Sequence, residues 1–409
     1  MDRFNALIGV VAVTIGLIGS ASAEPAASAG QPKPKPKPAK SHVPSRLMST
    51  SRAELAMYQD TDAVTVVTPA LWGEVHDPLS GWSASGNYLV DIVSAASVDI
   101  VSTASPSWQE VRQAAAIEAS YRPGSLGGGF GASISVEPDY VSYGGALNGI
   151  AELANKMATL ELGLSFEHDI AGLKDTPFSV FSLTFNRYGG SASVELIANP
   201  STTITPLLEV FYEDGRQEEP YRYLPMFAPD VAPQIPPGAS PDLVNQLRLP
   251  PRVAENLPDT RMRLALSGRL AHRFEHSTLL AFERLYADDW GQFASTTDLR
   301  YVFEVGSRWS FWPHARANVQ SATTFWRRAY VGSVDGRDVP TFRSGDRELG
   351  PLWSATLGPG ARWDLGSADK GNFSALFELE GTYTHFSDAL YIQQRWAGFA
   401  SAQIEVSFK

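Results

Sequence analysis

The chain has 409 residues, a formal net charge of −11, seven His and no Cys. The lack of cysteine excludes disulfides, thiolate metal sites and a lipid anchor on a signal-peptide cysteine. The acidic balance argues against nucleic acid as a partner, because a surface that binds phosphates needs an excess of basic side chains.

The N-terminus predicts export. Arg3 precedes an apolar segment from Phe4 to Ile18, and Ser20-Ala21-Ser22-Ala23 follows with small residues at the positions that a signal peptidase reads. The apolar segment is shorter than the roughly 20 residues that a membrane-spanning helix needs. We therefore predict a signal peptide over residues 1–23, cleaved before Glu24.

Residues 24–52 have the composition of a linker. Their centre is the Lys-Pro repeat of residues 31–38, which favours a stiff, charged polyproline II helix. The segment is interpreted as a solvated tether in the periplasm. The alternative is an arm that reaches the peptidoglycan or a periplasmic partner.

From residue 53 to residue 409 the pattern changes to period-two alternation. In Thr260 to Phe274, apolar residues such as Leu264 and Leu266 alternate with polar residues such as Arg263. A typical strand of a soluble sheet has ~5–6 residues, and a transmembrane strand needs ~9–11. The composition, 44% hydrophobic and 11% aromatic, also suits a secreted β-sandwich. The length of the alternating segments favours an all-β fold, a transmembrane antiparallel β-barrel of the outer membrane with about fourteen strands.

The connections between these strands are predicted to alternate between short and long. The short ones include Asn199 to Thr202, Glu275 to Ser277, Ser310 to Pro313 and Gly366 to Gly371, and the long ones include residues 171–190, 215–258 and 332–350. Outer-membrane barrels have short turns in the periplasm and long loops outside. An even number of strands then leaves both chain ends in the periplasm.

The C-terminal segment fits this interpretation. Ile404, Val406 and Phe408 continue the alternation to an aromatic residue, and Lys409 follows as a departure from the usual aromatic end. A C-terminal strand of this kind is the signal that the barrel insertion machinery recognises. We therefore expect this machinery and outer-membrane lipid as partners.

Several short motifs resemble a bacterial family of exported barrels known only as domain of unknown function 3570 (DUF3570). These are Tyr58-Gln59-Asp60, residues 98–106 (VDIVSTASP), Glu137-Pro138-Asp139-Tyr140-Val141-Ser142, Glu219-Pro220-Tyr221-Arg222, Leu257-Pro258-Asp259-Thr260-Arg261, and residues 284–290 (RLYADDW). Pro138 departs from a regular strand and predicts a bulge or bend. The resemblance implies a barrel fold and an outer-membrane location, and no known activity.

The polar face of the alternating segments predicts the lining of the lumen. Its charged members are Arg261, Arg263, Arg269, Arg273, Arg300, Glu304, Arg308, Arg316, Glu378, Glu380, Arg395 and Glu405. Opposed basic and acidic walls are typical of a water-filled pore. The alternative is a ladder of ion pairs that fills the lumen, since buried charges must be paired.

One further group is predicted at the mouth of the pore. Arg284, Tyr286, Asp288 and Trp290 share one face of a strand that runs into an outside loop. The group is either a ligand site or a structural arginine–aspartate pair. The long segment 215–258 either folds into the lumen as a constriction or shields the outer surface.

Enzymatic motifs are absent from the sequence. The His residues form no H-x-H or H-E-x-x-H motif, and Gly81-Trp82-Ser83-Ala84-Ser85-Gly86 does not match a nucleophile elbow. We therefore predict no catalytic residues, no metal ligands and no cofactor. The expected function is a passive or substrate-biased channel, and the alternative is a non-conducting barrel that acts as a scaffold for a periplasmic or surface partner.

Overall fold

The computed structural model describes residues 47–95, 108–335, 337–368 and 371–408. The predicted signal peptide, the Lys-Pro repeat, the family motif at residues 98–106 and Lys409 lie outside the described residues. Among the residues that are described, none of the helices has the length and hydrophobicity of a membrane-spanning helix.

Sixteen antiparallel strands form one closed barrel. Its strands are β1 Met48–Asp60, β2 Val64–Asp77, β3 Trp82–Ala95, β4 Trp108–Tyr121, β5 Leu126–Glu137, β6 Tyr140–Leu153, β7 Ala158–Ala171, β8 Leu183–Asn199, β9 Thr202–Gly215, β12 Thr260–Arg273, β13 Ser277–Asp288, β14 Phe293–Val305, β15 Trp309–Gln320, β17 Leu352–Ala368, β18 Gly371–Phe386 and β19 Gln394–Phe408. Three short strands outside the barrel are β10 Tyr223–Phe227, β11 Arg252–Ala254 and β16 Tyr330–Val331. The first and last barrel strands close the sheet, with Ser49 opposite Phe408, so neither leaves an unpaired edge.

The predicted fold class is confirmed, but the predicted count of fourteen strands was wrong. The alternation predicts strands centred near residues 67, 88, 116, 132, 162, 195, 208, 267, 284, 303, 320, 357, 379 and 400. It therefore misses β1, which begins at Met48 inside the segment assigned to the linker, and β6. Strand β6 carries Gly144 and Gly145 at its centre, and glycine shows no apolar alternation. Pro138 and Asp139 form the turn between β5 and β6 rather than a bulge within one strand.

One predicted connection was also wrong. Residues 310–313 belong to β15, and the turn before that strand is residues 306–308. Gly306 has a φ of +64° there, a conformation that glycine adopts without a steric penalty. Pro313 lies inside β15, opposite Pro359 of β17. A proline in a sequence usually indicates a turn, which is why a turn was predicted here.

The connections differ between the two ends of the barrel. At one end, called the short-turn end, lie residues 78–81, 122–125, 154–157, 200–201, 274–276 and 306–308, together with both ends of the barrel chain. At the other end, called the loop end, lie the tight turns 61–63, 138–139 and 289–292 and the longer connections 172–182, 216–259, 321–351 and 387–393. Both ends of the barrel chain lie at the same end because the number of strands is even, as the sequence predicted.

The outer face of the barrel is apolar between two belts of aromatic side chains. At the short-turn end Trp309 stacks on Trp363 with 5.1 Å between ring centroids, and at the loop end Tyr383 lies 4.7 Å from Trp396. Between the belts, leucines such as Leu357 (68% exposed) point away from the barrel. An apolar band between aromatic girdles is the surface of a barrel in a lipid bilayer.

The belts predict how the cost of a charge varies with depth. Leu299 lies near the middle of the outer face of β14, and Val305 ends that strand at the level of the aromatic belt, opposite Trp309. We expect Leu299→Arg to reduce the free energy of unfolding of the barrel in vesicles by ~2–4 kcal/mol and Val305→Arg to reduce it by only ~0–1 kcal/mol. Urea titration in lipid vesicles measures both, and equal losses would contradict the position of the band.

The two longest connections fold together over the loop end into a cap, defined as residues 216–259 and 321–351. The cap contains the small sheet β11–β10–β16 and helix α1, Pro241–Leu247. Ser240 is the N-cap of α1, because its side chain accepts a hydrogen bond from the backbone N–H of Leu243. Pro241 follows at the first helical position, where its lack of a backbone N–H leaves no donor unpaired. The predicted loop 215–258 is thus a folded unit.

Two small hydrophobic cores hold the cap together. One contains Phe227, Ile235 and Val244, and the other contains Leu224, Met226 and Tyr330; all six are almost fully buried. Since most large apolar side chains of the barrel strands face outward, these cores are where the chain excludes water by ordinary packing.

Candidate functional site

Contacts between strands that are not neighbours identify the face that lines the lumen. Arg300 on β14 lies 3.4 Å from Glu378 on β18, and His314 on β15 lies 2.6 Å from Glu380, also on β18. Because these strands are not adjacent in the barrel, the side chains can meet only across its concave interior. The alternation of side chains then assigns the inner face of each strand.

A row of alternating charges lines one wall of the lumen near the loop end. Glu167, Arg187, Glu213 and Arg261 lie directly opposite one another on β7, β8, β9 and β12. Arg187 lies 2.5 Å from Glu167 and 3.0 Å from Glu213, and Arg263 lies 3.0 Å from the second oxygen of Glu213. The side chain of Glu213 is 0% exposed. Glu213 is therefore buried and paired within the wall, whereas Glu167 and Arg187 remain partly exposed.

Arg261 continues this row into the rim of the barrel. Its guanidinium donates to Asp288 at 2.5 and 2.9 Å and to Gln292 at 3.1 Å, and it lies 4.2 Å from the ring centroid of Trp290. Only 4% of Arg261 is exposed. Paired charges and an aromatic ring together compensate for the burial of this arginine.

The residues predicted at the pore mouth lie at the loop end, but their polar groups are engaged within the chain. Arg284 donates to Glu209 at 2.5 Å, and Tyr286 donates to Asp288 at 2.8 Å. Trp290 donates to the carbonyl of Thr260 at 2.9 Å. Asp288 thus pairs with Arg261 of β12, and Arg284 pairs with Glu209 of β9. The polar groups of all four residues make contacts within the barrel wall.

The inner face of β4 to β8 is different, since it carries small side chains. Gly129, Gly131, Gly144, Gly163 and Gly189 interrupt it, and inward-facing residues that remain exposed are Ser133, Ala146, Asn148, Ser165 and Ser191. Their exposure means that open, water-accessible space lies beside this wall. We call it the small-residue wall.

Several predicted lumen charges lie in the open part of the barrel. Arg269 is exposed, as are Glu118 and Glu195 on the inner faces of β4 and β8. At the short-turn end Arg273 pairs with Glu304 through contacts of 2.5 and 2.7 Å, and both side chains are about half exposed. The predicted arginines of β12 therefore divide into a more buried pair, Arg261 and Arg263, and an exposed pair, Arg269 and Arg273.

The other predicted lumen residues occupy varied positions. Arg316 lies opposite Asp298 on the inner face, whereas Arg308 is exposed in the turn before β15. Glu405 pairs with Arg52 across the closing seam at 2.6 Å. Arg395 pairs with Glu348 of the cap at 3.1 Å.

His314 is a lumen residue that the sequence analysis did not select. It bridges Asp298 at 2.8 Å and Glu380 at 2.6 Å, and its side chain is 6% exposed. A signal was present, since His314 has the same phase in β15 as Arg316. The sequence could not show that two carboxylates from other strands would meet it.

The cap contacts the barrel at several points around the rim. Arg347 pairs with Asp62 in the turn between β1 and β2, and its guanidinium lies 4.2 Å from the ring centroid of Phe386. Tyr221 donates to Asp139, between β5 and β6, at 2.5 Å. Gly238 donates to the carbonyl of Ala389, between β18 and β19, at 3.0 Å. Because these points lie on different sides of the rim, the cap extends across the loop end.

A buried charged cluster stabilises the inside of the cap. Arg222 lies 3.1 Å from Glu255 and 3.2 Å from Asp346, and Ser344 donates to Glu255 at 2.6 Å. Burial raises the pKa of Glu255, because removal from water disfavours the charged form and a second carboxylate shares its arginine. The cluster joins the two connections that form the cap.

One group in the described part of the chain has the geometry to hold a cation. Ligand oxygens of Glu110, Glu137 and Asp139 lie within 4.8 Å of one another, beneath the tyrosine that links the cap to this side of the rim. Carboxylate oxygens are the ligands that calcium and magnesium prefer.

The sequence matches one family model. Residues 184–393, more than half of the chain, match a family described as "Protein of unknown function (DUF3570)". The match includes three of the motifs on which the resemblance rested, at residues 219–222, 257–261 and 284–290. These motifs meet where the cap joins the barrel, with Leu257 and Trp290 in one buried cluster. No curated protein matches the sequence.

Solved structures of outer-membrane proteins are similar in fold. The siderophore receptor PirA from Pseudomonas aeruginosa has 10% sequence identity and a TM-score of 0.41, over 87% of this chain and 61% of that chain. CdiB from Acinetobacter baumannii has 8% identity and a TM-score of 0.46, over 87% and 60%. OccK5 (OpdH) from P. aeruginosa has 8% identity and a TM-score of 0.41, over 89% and 98%. The chain thus spans less than two thirds of the first two proteins.

Proposed function

The chain belongs to the DUF3570 family of proteins of unknown function, and for this member we propose a passive or substrate-biased channel of the outer membrane. The observation that carries the proposal is the small-residue wall, whose inward-facing serines and Asn148 are exposed inside a closed barrel. Barrels of 16–18 strands are wide enough to enclose an aqueous channel. The glycine, serine and alanine residues of this wall leave that space open.

The proposed location follows from the same barrel. We propose that the chain is exported with a cleaved signal peptide and inserted through its C-terminal strand. Contact with outer-membrane lipid fits the apolar band and its aromatic belts. Short turns of such barrels face the periplasm. The short-turn end and the Lys-Pro linker are then periplasmic, and the cap faces outward.

We propose that the cap, which contacts the rim at several points, closes the outer mouth of this channel. A solute that enters from the periplasmic side meets solvated charges such as Arg269 first, and then the paired row around Glu213. Passage to the outside requires that the cap moves, so we propose that conduction is low while the cap contacts the rim. The bias toward particular substrates then comes from the exposed charges of the lumen, such as Arg269, Glu118 and Glu195.

Recording in planar bilayers with the refolded barrel tests the channel. Arg269→Glu reverses a solvated charge, which contributes little to stability, so the variant should fold and its reversal potential in a salt gradient should move toward cation preference. Arg337→Glu, in an exposed part of the cap (89% exposed), is the control and should leave the reversal potential unchanged. If wild type, both variants and a variant with a loosened cap (Arg347→Ala) all conduct nothing, the channel proposal fails.

The second candidate function is a non-conducting scaffold. The folded cap favours it, because two hydrophobic cores and several rim contacts form a stable outer surface that a partner can bind. The Lys-Pro linker offers a separate site for a periplasmic partner. Absence of conduction in all variants, including those that loosen the cap, would support the scaffold.

A further inference from the structure

The small-residue wall carries an excess of negative charge. On the inner faces of β4 to β8 the described residues include two arginines, no lysine and eight carboxylates, which are Glu110, Glu118, Glu137, Glu152, Glu161, Glu167, Asp169 and Glu195. Their phase follows from the register of these strands with the row that contains Glu167 and Arg187. The excess therefore lies in the lumen and not on the lipid-facing side.

The basic side chains near this wall neutralise only a minority of its carboxylates. Arg112 lies 2.9 Å from Asp91 of β3, and Arg187 lies between Glu167 and Glu213. Glu152 pairs with an arginine in the turn between β4 and β5. No lysine or arginine of the described residues forms an ion pair with the other six carboxylates, which are Glu110, Glu118, Glu137, Glu161, Asp169 and Glu195.

These six carboxylates are distributed along the length of the barrel. Three of them, Glu118, Glu161 and Glu195, lie in the half of the wall nearer the short-turn end, and the other three lie nearer the loop end. Glu118 and Glu195 are exposed. A cation that enters from the short-turn end therefore meets carboxylates at successive depths, and several weak sites in sequence are what permeation of an ion requires.

Asp169 adds a buried acceptor to this wall. The residue is only 4% exposed, and its Oδ1 accepts no hydrogen bond from the described residues. It lies on the inner face of β7, in the same phase as Ser165 of the small-residue wall. Because a buried carboxylate is costly without a compensating partner, this oxygen favours a positively charged donor at the wall.

The rest of the inner surface does not compensate for this charge. The inner faces of the barrel strands from β12 through the closing seam to β2 carry ten arginines and ten carboxylates. Several of these pair with each other, such as Arg273 with Glu304 and Arg300 with Glu378. That side of the lumen is therefore neutral as a whole, and the field of the small-residue wall remains negative.

We propose that the small-residue wall makes the lumen selective for cationic solutes, which enter from the short-turn end. The inference rests on the proposed channel, to which it assigns a substrate class. Charges of one sign beside low-dielectric walls raise the local concentration of counter-ions and the rate of their arrival by ~10-fold or more. The serine hydroxyls and Asn148 add neutral acceptors, which suit the ammonium group of an organic amine as well as a metal cation.

Modification of a lumen cysteine measures this selectivity without conduction, and the cysteine-free chain gives a clean background. Ser165→Cys places a thiol on the wall between Glu161 and Asp169, and Ser201→Cys places one in an exposed short turn. Each variant, refolded in detergent micelles at low salt, reacts with two methanethiosulfonates of similar size, one with a trimethylammonium group and one with a sulfonate. The ratio of the cationic to the anionic rate should be about tenfold higher for Ser165→Cys than for Ser201→Cys, and salt at about 1 M should remove the difference.

Further substitutions assign the selectivity to the carboxylates. In the background of the lumen cysteine, Glu118→Gln, Glu161→Gln and Glu195→Gln together should lower the ratio toward the value for the short turn. The heat-resistant band should remain, because no ion pair is lost. Glu275→Gln, which removes a carboxylate that is 90% exposed in a short turn, is the matched control and should leave the ratio unchanged.

Equal ratios at the two cysteines, or a ratio that the triple variant does not change, would overturn the inference. Recording in planar bilayers separates it from the channel itself. Conduction without cation preference in the reversal potential would overturn the substrate class and leave the channel in place. A high ratio in a barrel that never conducts would support the cation-selective lumen and end the channel proposal.

Discussion

Arg263→Glu is expected to prevent the barrel from reaching its heat-resistant folded form, whereas Arg269→Glu on the same face of β12 is expected to fold. Arg263 lies 3.0 Å from Glu213, whose side chain is fully buried. Loss of one partner of a buried ion pair costs ~3–5 kcal/mol, and a new carboxylate adds repulsion to that cost. Arg269 is exposed in the open lumen.

Refolding into vesicles followed by gel analysis without boiling measures the folded fraction of each variant. Arg263→Met is a useful third variant, since it removes the charge but keeps much of the volume, and it should lie between the other two. If Arg263→Glu folds as well as Arg269→Glu, water reaches the carboxylate of Glu213. The burial of the pair between Arg263 and Glu213 would then not explain its contribution to folding.

Arg347→Ala is expected to open the channel without unfolding the barrel. Arg347 and Asp62 pair at the rim, and their side chains are 4% and 2% exposed. Loss of the guanidinium leaves Asp62 buried without that partner, at a cost of ~3–5 kcal/mol. Displacement of the cap from the turn between β1 and β2 relieves this cost, because water then reaches the carboxylate. The ladder of β1 with β2 and β19 is unaffected.

Planar-bilayer recording should therefore show a higher open probability for Arg347→Ala than for wild type, with an unchanged heat-resistant band. Arg337→Ala, which truncates an exposed arginine of the same connection, is the matched control and should behave as wild type. The double variant Asp62→Leu with Arg347→Met replaces the pair by apolar side chains and should restore the closed state. An open probability that stays low in Arg347→Ala would mean that this pair does not hold the cap.

The sequence alone determined the fold class and the orientation of most strands. A period-two pattern assigns both faces of a long strand at once, so Leu264 was predicted outside and Arg263 inside, and the structure places them there. The same reasoning predicted an even number of strands and long connections at one end. It failed for β6, because Gly144, Gly145 and their small neighbours show no alternation of apolar residues. It also failed at Pro313, because a proline within a strand resembles a turn in the sequence.

Only the tertiary structure distinguished the charged residues from one another. Arg263 and Arg269 have the same phase on one strand, yet Arg263 lies beside a buried Glu213 from β9 and is partly buried, whereas Arg269 is exposed. His314 became a bridge only when β14 and β18 brought Asp298 and Glu380 to it. The cap also depends on contacts between residues far apart in the chain, such as Arg347 with Asp62. Alternation is a local property that each strand carries in itself, whereas burial and pairing depend on which strands the closure of the barrel makes neighbours.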